Sequence, residues 1–187
     1  MPPIVLNGDT GITTPMYNGT ISSNAVTPVL GMKNKIINGA CVIDQRNAGA
    51  SVTLSAGADQ YTLDRFDVQN NTTSGSFTCQ QSSTAPAGFV KSMKITVTAT
   101  EASPTSTMKA RIWQAIEGFN VADLAWGTAN AQTVTLSFWV QSSVTGTFGG
   151  ALGNGSDNRA YPFTYTISAA NTWEQKSVTI EIGRAHV

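Results

Sequence analysis

Charge is what this sequence has least of. Only 12% of its 187 residues are Asp, Glu, Lys or Arg, and the formal net charge is zero; an ordinary soluble domain carries about a quarter. No run of Lys or Arg occurs, so the positive groove that neutralises phosphates is excluded and nucleic acid is not an expected partner. Histidine is nearly absent too. His186, at the extreme C-terminus, is the single one, which leaves a Ser–His or Cys–His nucleophile pair without a base in the body of the chain. No GxSxG, P-loop or dinucleotide fingerprint is present. The two cysteines, Cys41 and Cys79, make no metal-type cluster. Cys79 shares parity with Phe77, so a buried thiol is preferred over a disulfide. No apolar run approaches membrane-spanning length, and no membrane insertion is expected. MPPIVLNGDTG lacks the basic start and apolar middle of a secretion signal, so synthesis in the cytoplasm is the default.

Glycoside hydrolysis needs only two acids facing a sugar, and Glu117 with Asp64, Asp67 or Asp123 supplies pairs on paper. Eleven acids scattered through a chain of this size always offer such pairs, so surface or structural roles are preferred and no enzyme is expected. A structural calcium ion on Asp44, Asp64, Asp67 or Asp157 has no supporting spacing, and no cofactor is expected.

What is present is β-strand. Hydrophobic residues make up 41%, enough for a real core, while Ser, Thr, Asn and Gln fill the place of the missing charges. From Thr133, Val134, Leu136, Phe138 and Val140 alternate with Thr135, Ser137, Trp139 and Gln141, the period of a strand with one buried face. Met108, Ala110, Ile112 and Ile116 alternate with Lys109, Arg111, Trp113 and Glu117 in the same way. Between the two lies a helix-like insert, with Asn120 as N-cap, Asp123 three residues on and Gly127 as the stop.

Further strands are expected at Lys33–Arg46 (with a turn at Asn38-Gly39), Ser51–Leu54, Tyr61–Val68, Gly75–Gln81, Lys91–Thr100, Thr147–Leu152, Tyr161–Ile167 and Lys176–Ile182. In Tyr61–Val68, the residues Tyr61, Leu63, Phe66 and Val68 are assigned inward, with a parity change near Asp64. About eight to ten short strands with one brief helix predict an all-β fold, a jelly-roll β-sandwich over residues 32–182. Residues 1–31, with turn signals at close intervals, read as an extended arm or linker.

The chemistry-bearing feature is the indoles. Trp113 and Trp139 fall on the polar parity of strands that one sheet would hold together. With Arg111, Glu117, Ser137 and Gln141 they would form an aromatic platform on which a sugar's C–H face stacks. The competing reading is that the Phe119–Trp126 insert covers them. Trp126 and Trp173 read as packing residues, and Gln114 as a satisfied inward amide.

Several stretches resemble phage tail-fibre and appendage proteins that carry a carbohydrate-binding-module-like (galactose-binding-like) jelly roll. They are KNKIINGACVIDQRNAGAS followed by YTLDRFDV, the IEG…LAWG…TLSFWV block, and YPFTYTISAANTWEQKSVTI; VLNGDTGITTP is similar to fibre-shaft segments. Phe66 stands where Trp is commoner in that family. The resemblance implies a virion structural protein of the phage tail, partnered by other tail proteins, homotrimeric in its fibre, with a head that binds host-surface glycan. The closing EIGRAHV looks like translated sequencing-adaptor DNA, so residues 183–187 are expected to be a foreign tail on a sandwich incomplete at its C-terminus.

Overall fold

The computed structural model describes residues 5–7, 11–13 and 34–181. The chain divides into Met1–Asn34 and Lys35–Val187. In the first unit, β1 (Val5–Asn7) pairs antiparallel with β2 (Gly11–Thr13), so the described part of the expected arm is a short hairpin. The rest of that arm, and the expected adaptor-like tail, lie outside the described residues.

Among its described residues the second unit is all-β and antiparallel, with ten strands and one 3-10 turn: β3 (Val52–Leu54), β4 (Asp59–Tyr61), β5 (Asp67–Asn71), β6 (Ser76–Ser82), β7 (Ser92–Ala99), β8 (Lys109–Trp113), η1 (Gly118–Leu124), β9 (Val134–Val140), β10 (Gly146–Gly153), β11 (Ala160–Ile167) and β12 (Glu174–Ile180). The sheets run β3-β6-β7, β4-β5-β8, β12-β9 and β10-β11.

The first two sheets form a sandwich over one core. Leu54, Phe77 and Cys79 come from one layer and Val68 from the other, with Leu63 and Cys41 closing the ends. Burial pushes the Cys41 thiol up to about 11 and raises Cys79 as well. Both are free thiols. Asn70 is a polar residue fully inside this core, and its side chain is fully bonded. Its amide donates to the Leu54 and Gly75 carbonyls at 2.9 Å each, and its oxygen accepts from the Thr72 hydroxyl at 2.8 Å.

The other two sheets make a second layer pair. β9 alternates as expected, with Val134, Leu136, Phe138 and Val140 half-buried and Trp139 outside. Phe138 meets Tyr165 of β11 edge to face at 5.0 Å, and Tyr165 stacks on Phe148 of β10 at 5.9 Å. Ile167 and Ile180 are its fully buried residues.

Three expectations are corrected. Residues 35–50 form turns, not a first strand, because side chains capture the backbone groups a ladder would use. The Asn38 side chain bonds both Ile43 N–H and Ile43 C=O and reaches the Asp64 carbonyl, while Asp44 accepts from the Asn47 and Gly49 N–H groups. Second, Tyr61–Val68 is not one strand but the turn of a hairpin, β4 into β5, with Thr62 N–H bonded to Phe66 C=O and Arg65 at φ 74°. Leu63 and Val68 do point inward, but Tyr61 is 46% exposed. Third, the insert is a 3-10 turn that starts after Glu117 and stops at Ala125 (φ 50°) rather than running from Asn120 to Gly127. Asn120 donates to the Glu117 carboxylate, and Asp123 pairs with Lys35 at 2.9 Å.

Candidate functional site

The hairpin turn at Leu63–Phe66 decides where the site lies. It brings β5 back beside β4 in a register that pairs Tyr61 with Asp67 and Asp59 with Gln69. β8 then adds on the far side, with Trp113 opposite Asp67 and Arg111 opposite Gln69. Paired residues share a face, so two rows cross the sheet's outer surface: Tyr61–Asp67–Trp113, and beside it Asp59–Gln69–Arg111. The inner face of the same strands carries Val68 into the core. Ile112, opposite Val68, shares that face as expected but stays 47% exposed.

Within the first row a carboxyl group sits between two aromatic rings. Tyr61 and Trp113 are partly open to solvent, whereas Asp67 is 7% exposed, and its Oδ1 has no donor. Burial raises the Asp67 carboxyl to about 6, and a hydrogen bond and repulsion from the Asp59 carboxylate push the same way. Gln69 steadies the arrangement by donating to Asp59 Oδ2 at 2.8 Å.

An arginine closes each end of the row. The Arg46 guanidinium lies 5.5 Å from the Tyr61 ring centre, and that of Arg111 lies 5.5 Å from the Trp113 ring centre. Asp157, from the β10–β11 turn, holds Lys109 at 3.1 Å and Arg111 at 3.3 Å. Those contacts, Lys109's hydrogen bond first, pull the Asp157 carboxyl below its ordinary value. Arg46 makes no ion pair among the described residues.

The structure therefore keeps two of the six expected platform residues together, Trp113 and Arg111. It separates the other four, Ser137 lying on β9 beside Trp139. β9 pairs with β12, not with β8, so Trp139 (39% exposed) lies on another sheet. The long η1 connection between β8 and β9 lets each strand take a different neighbour. Gln141 donates to the Asn171 carbonyl, a loop contact in that second sheet's region. Glu117 accepts from Arg65 at 2.7 Å and secures the turn behind β4 and β5. Phe119 of the insert stands 92% exposed, so it does not seal Trp113. Gln114 is the satisfied amide expected: it exchanges two 2.8 Å bonds with the Ile37 backbone. Trp126 donates to the Gln132 carbonyl, a packing role.

Sequence reasoning missed Tyr61, Asp67, Asp59, Gln69 and Arg46 as one group. Shared parity with Leu63 places Tyr61 inside; the parity change expected near Asp64 is a full hairpin turn, not an irregularity within one strand. The four acids considered for calcium serve elsewhere, Asp44 and Asp64 on backbone N–H groups, Asp157 on cations and Asp67 in the row. Among the described residues no three His, Cys, Asp or Glu side chains converge as a metal site would require. Nor is any described helix long and apolar enough to cross a membrane. No protein-family model, curated protein or solved structure matches the chain.

Proposed function

We propose that this chain is a non-catalytic attachment component of a phage tail fibre or appendage. In this reading its jelly-roll head binds host-surface carbohydrate across Tyr61, Asp67 and Trp113, and the fibre is a homotrimer joined to other tail proteins in the virion. The sequence resemblance supplies the biological setting. The observation that carries the binding role is the row itself: two part-exposed aromatic rings on one flat sheet face, with a buried carboxyl between them and Gln69 and Arg111 alongside. Pyranose C–H faces stack on such rings, and flanking polar groups select the hydroxyls.

A glycan-cleaving reading is less well supported. Hydrolysis of a glycosidic bond needs two carboxyl groups about 5–10 Å apart, with room for the bond between them. Asp59 and Asp67 instead lie near enough that the Asp59 charge helps raise the Asp67 carboxyl.

A glycan array probed with the full chain, followed by titration calorimetry on the best binder, tests the proposal. Trp113→Ala and Tyr61→Ala should each weaken binding about tenfold or more, the scale of a lost stacking contact. Trp139→Ala, on the other sheet, should leave it unchanged. Array silence, or equal losses for Trp113 and Trp139, rejects the platform.

A further inference from the structure

The charges around the row are unevenly matched. Arg46, Lys109 and Arg111 stand on or beside it, against Asp157 and the Asp59–Asp67 pair. Asp157 is already engaged by Lys109 and Arg111. Arg46 lies over Tyr61 with no carboxylate partner among the described residues. Asp67 is more than nine-tenths buried, and its unpartnered Oδ1 belongs to the same row. While Asp67 holds its proton, the row carries one negative charge fewer than when that proton has passed to solvent.

Resting on the glycan-platform reading above, we infer that the ligand is an acidic sugar, a pyranose bearing a carboxylate, seated with that carboxylate toward Arg46. The ring of the sugar covers Tyr61 and Trp113, and its carboxylate meets the guanidinium that lacks an anion. A second carboxylate beside an ionised Asp59–Asp67 pair is repelled; beside the protonated pair it is not. The other titratable and charged groups around the pair are Arg111 and Lys109 from β8, Tyr61 from β4, Arg46 and Asp44 from the loop at 43–50, Asp64 from the hairpin turn and Asp157 from the β10–β11 turn. A sugar carboxylate, with an ordinary acid's ionisation, is charged from about pH 5 to pH 8. Loss of the Asp67 proton falls in the same interval.

Titration calorimetry with two probes of equal length, a galacturonic acid oligosaccharide and its neutral galactose counterpart, measures this directly on the full chain. The acidic probe should bind about three- to tenfold more tightly at about pH 5 than at about pH 8, the effect of one screened charge at close range. The neutral probe should show little pH dependence. Asp67→Asn should abolish the difference between the two pH values for the acidic probe. Arg46→Gln should weaken the acidic probe about tenfold and spare the neutral one. Preference for the neutral probe, or an acidic-probe affinity flat in pH, overturns the inference while leaving a glycan platform in place. Persistent pH dependence in Asp67→Asn overturns it as well. Silence with both probes also overturns it, and the array result then decides whether the platform falls too.

Discussion

Two carboxylates make opposite demands on pH. Asp67 is raised from 3.8 to about 6, chiefly by desolvation, so the folded state holds its proton more tightly than the unfolded chain does. Its favourable contribution is complete below about pH 4 and is lost as pH rises through 6. Asp67→Asn keeps the shape and removes the charge, so the variant should melt about 2–5 °C higher than the parent at about pH 8. That advantage should vanish near pH 4, and thermal melts across pH check it. A buried acid left to ionise at neutral pH is a stability cost that packing alone does not explain, which is why it belongs with a site. Glu101 runs the other way. The Ser74 N–H, the Ser103 N–H and the Thr73 hydroxyl hold its carboxyl down to about 2, from 4.5. Its contribution is present above 4.5 and lost as pH falls through 2. Glu101→Ala should speed amide exchange at Thr73 and Ser74 several-fold at neutral pH, with the gap closing in acid; unchanged exchange would show that the loop needs no pin.

Strands were legible wherever a regular alternation ran for five or more residues. β9 and β11 show it well, because Val, Leu and Phe at every second position of β9, and Tyr, Phe and Ile in β11, leave a pleated ribbon one way to bury its apolar side. β10 is written differently, as GTFGGALG, and its packing depends on a close approach. A Cβ at Gly150 would lie 2.4 Å from Phe163 Cζ, since that ring lies flat over the bare backbone of its cross-strand partner. Gly150→Ala must push the ring off the strand and is expected to cost about 1–3 kcal/mol in urea unfolding. A neutral result would mean that the ring swings away freely. What sequence could not show was any segment held by side chains instead of ladders. The 35–50 turns depend on Asn38, Asp44 and Asp64 meeting across the chain, and the Tyr61–Asp67–Trp113 row depends on a hairpin register that local pattern does not encode. Only Trp113 and Arg111 of the candidate site were visible, for the same reason: they share a strand, while their neighbours arrive from β4, β5 and a loop.

At the scale of the whole body, the second unit is built on two separate interiors. Every residue packed into the Leu54–Val68–Phe77–Cys79 cluster, including the half-buried Val52, Ala58, Phe66, Met93 and Ile95, precedes β8. Phe138, Phe148, Tyr165, Ile167 and Ile180 belong to the later sheets. Across the divide run exposed ion pairs such as Asp157 with Lys109 and Arg111, and contacts of that kind add little to stability. The two interiors should therefore loosen as distinct cooperative units. Leu54→Ala removes a fully buried side chain while keeping the main-chain carbonyl that Asn70 bonds from β5. It should cost about 3–5 kcal/mol and speed amide exchange across β3–β8, including the strands that carry the platform. Ile180→Ala should cost about 2–4 kcal/mol and act mainly on β9–β12. Hydrogen exchange resolved by residue distinguishes this from a single unit: with one shared core, either substitution would lower protection at Val68 and at Leu136 in parallel. With two, only Leu54→Ala would also weaken ligand binding, because the row of Tyr61, Asp67 and Trp113 rides on the first interior alone.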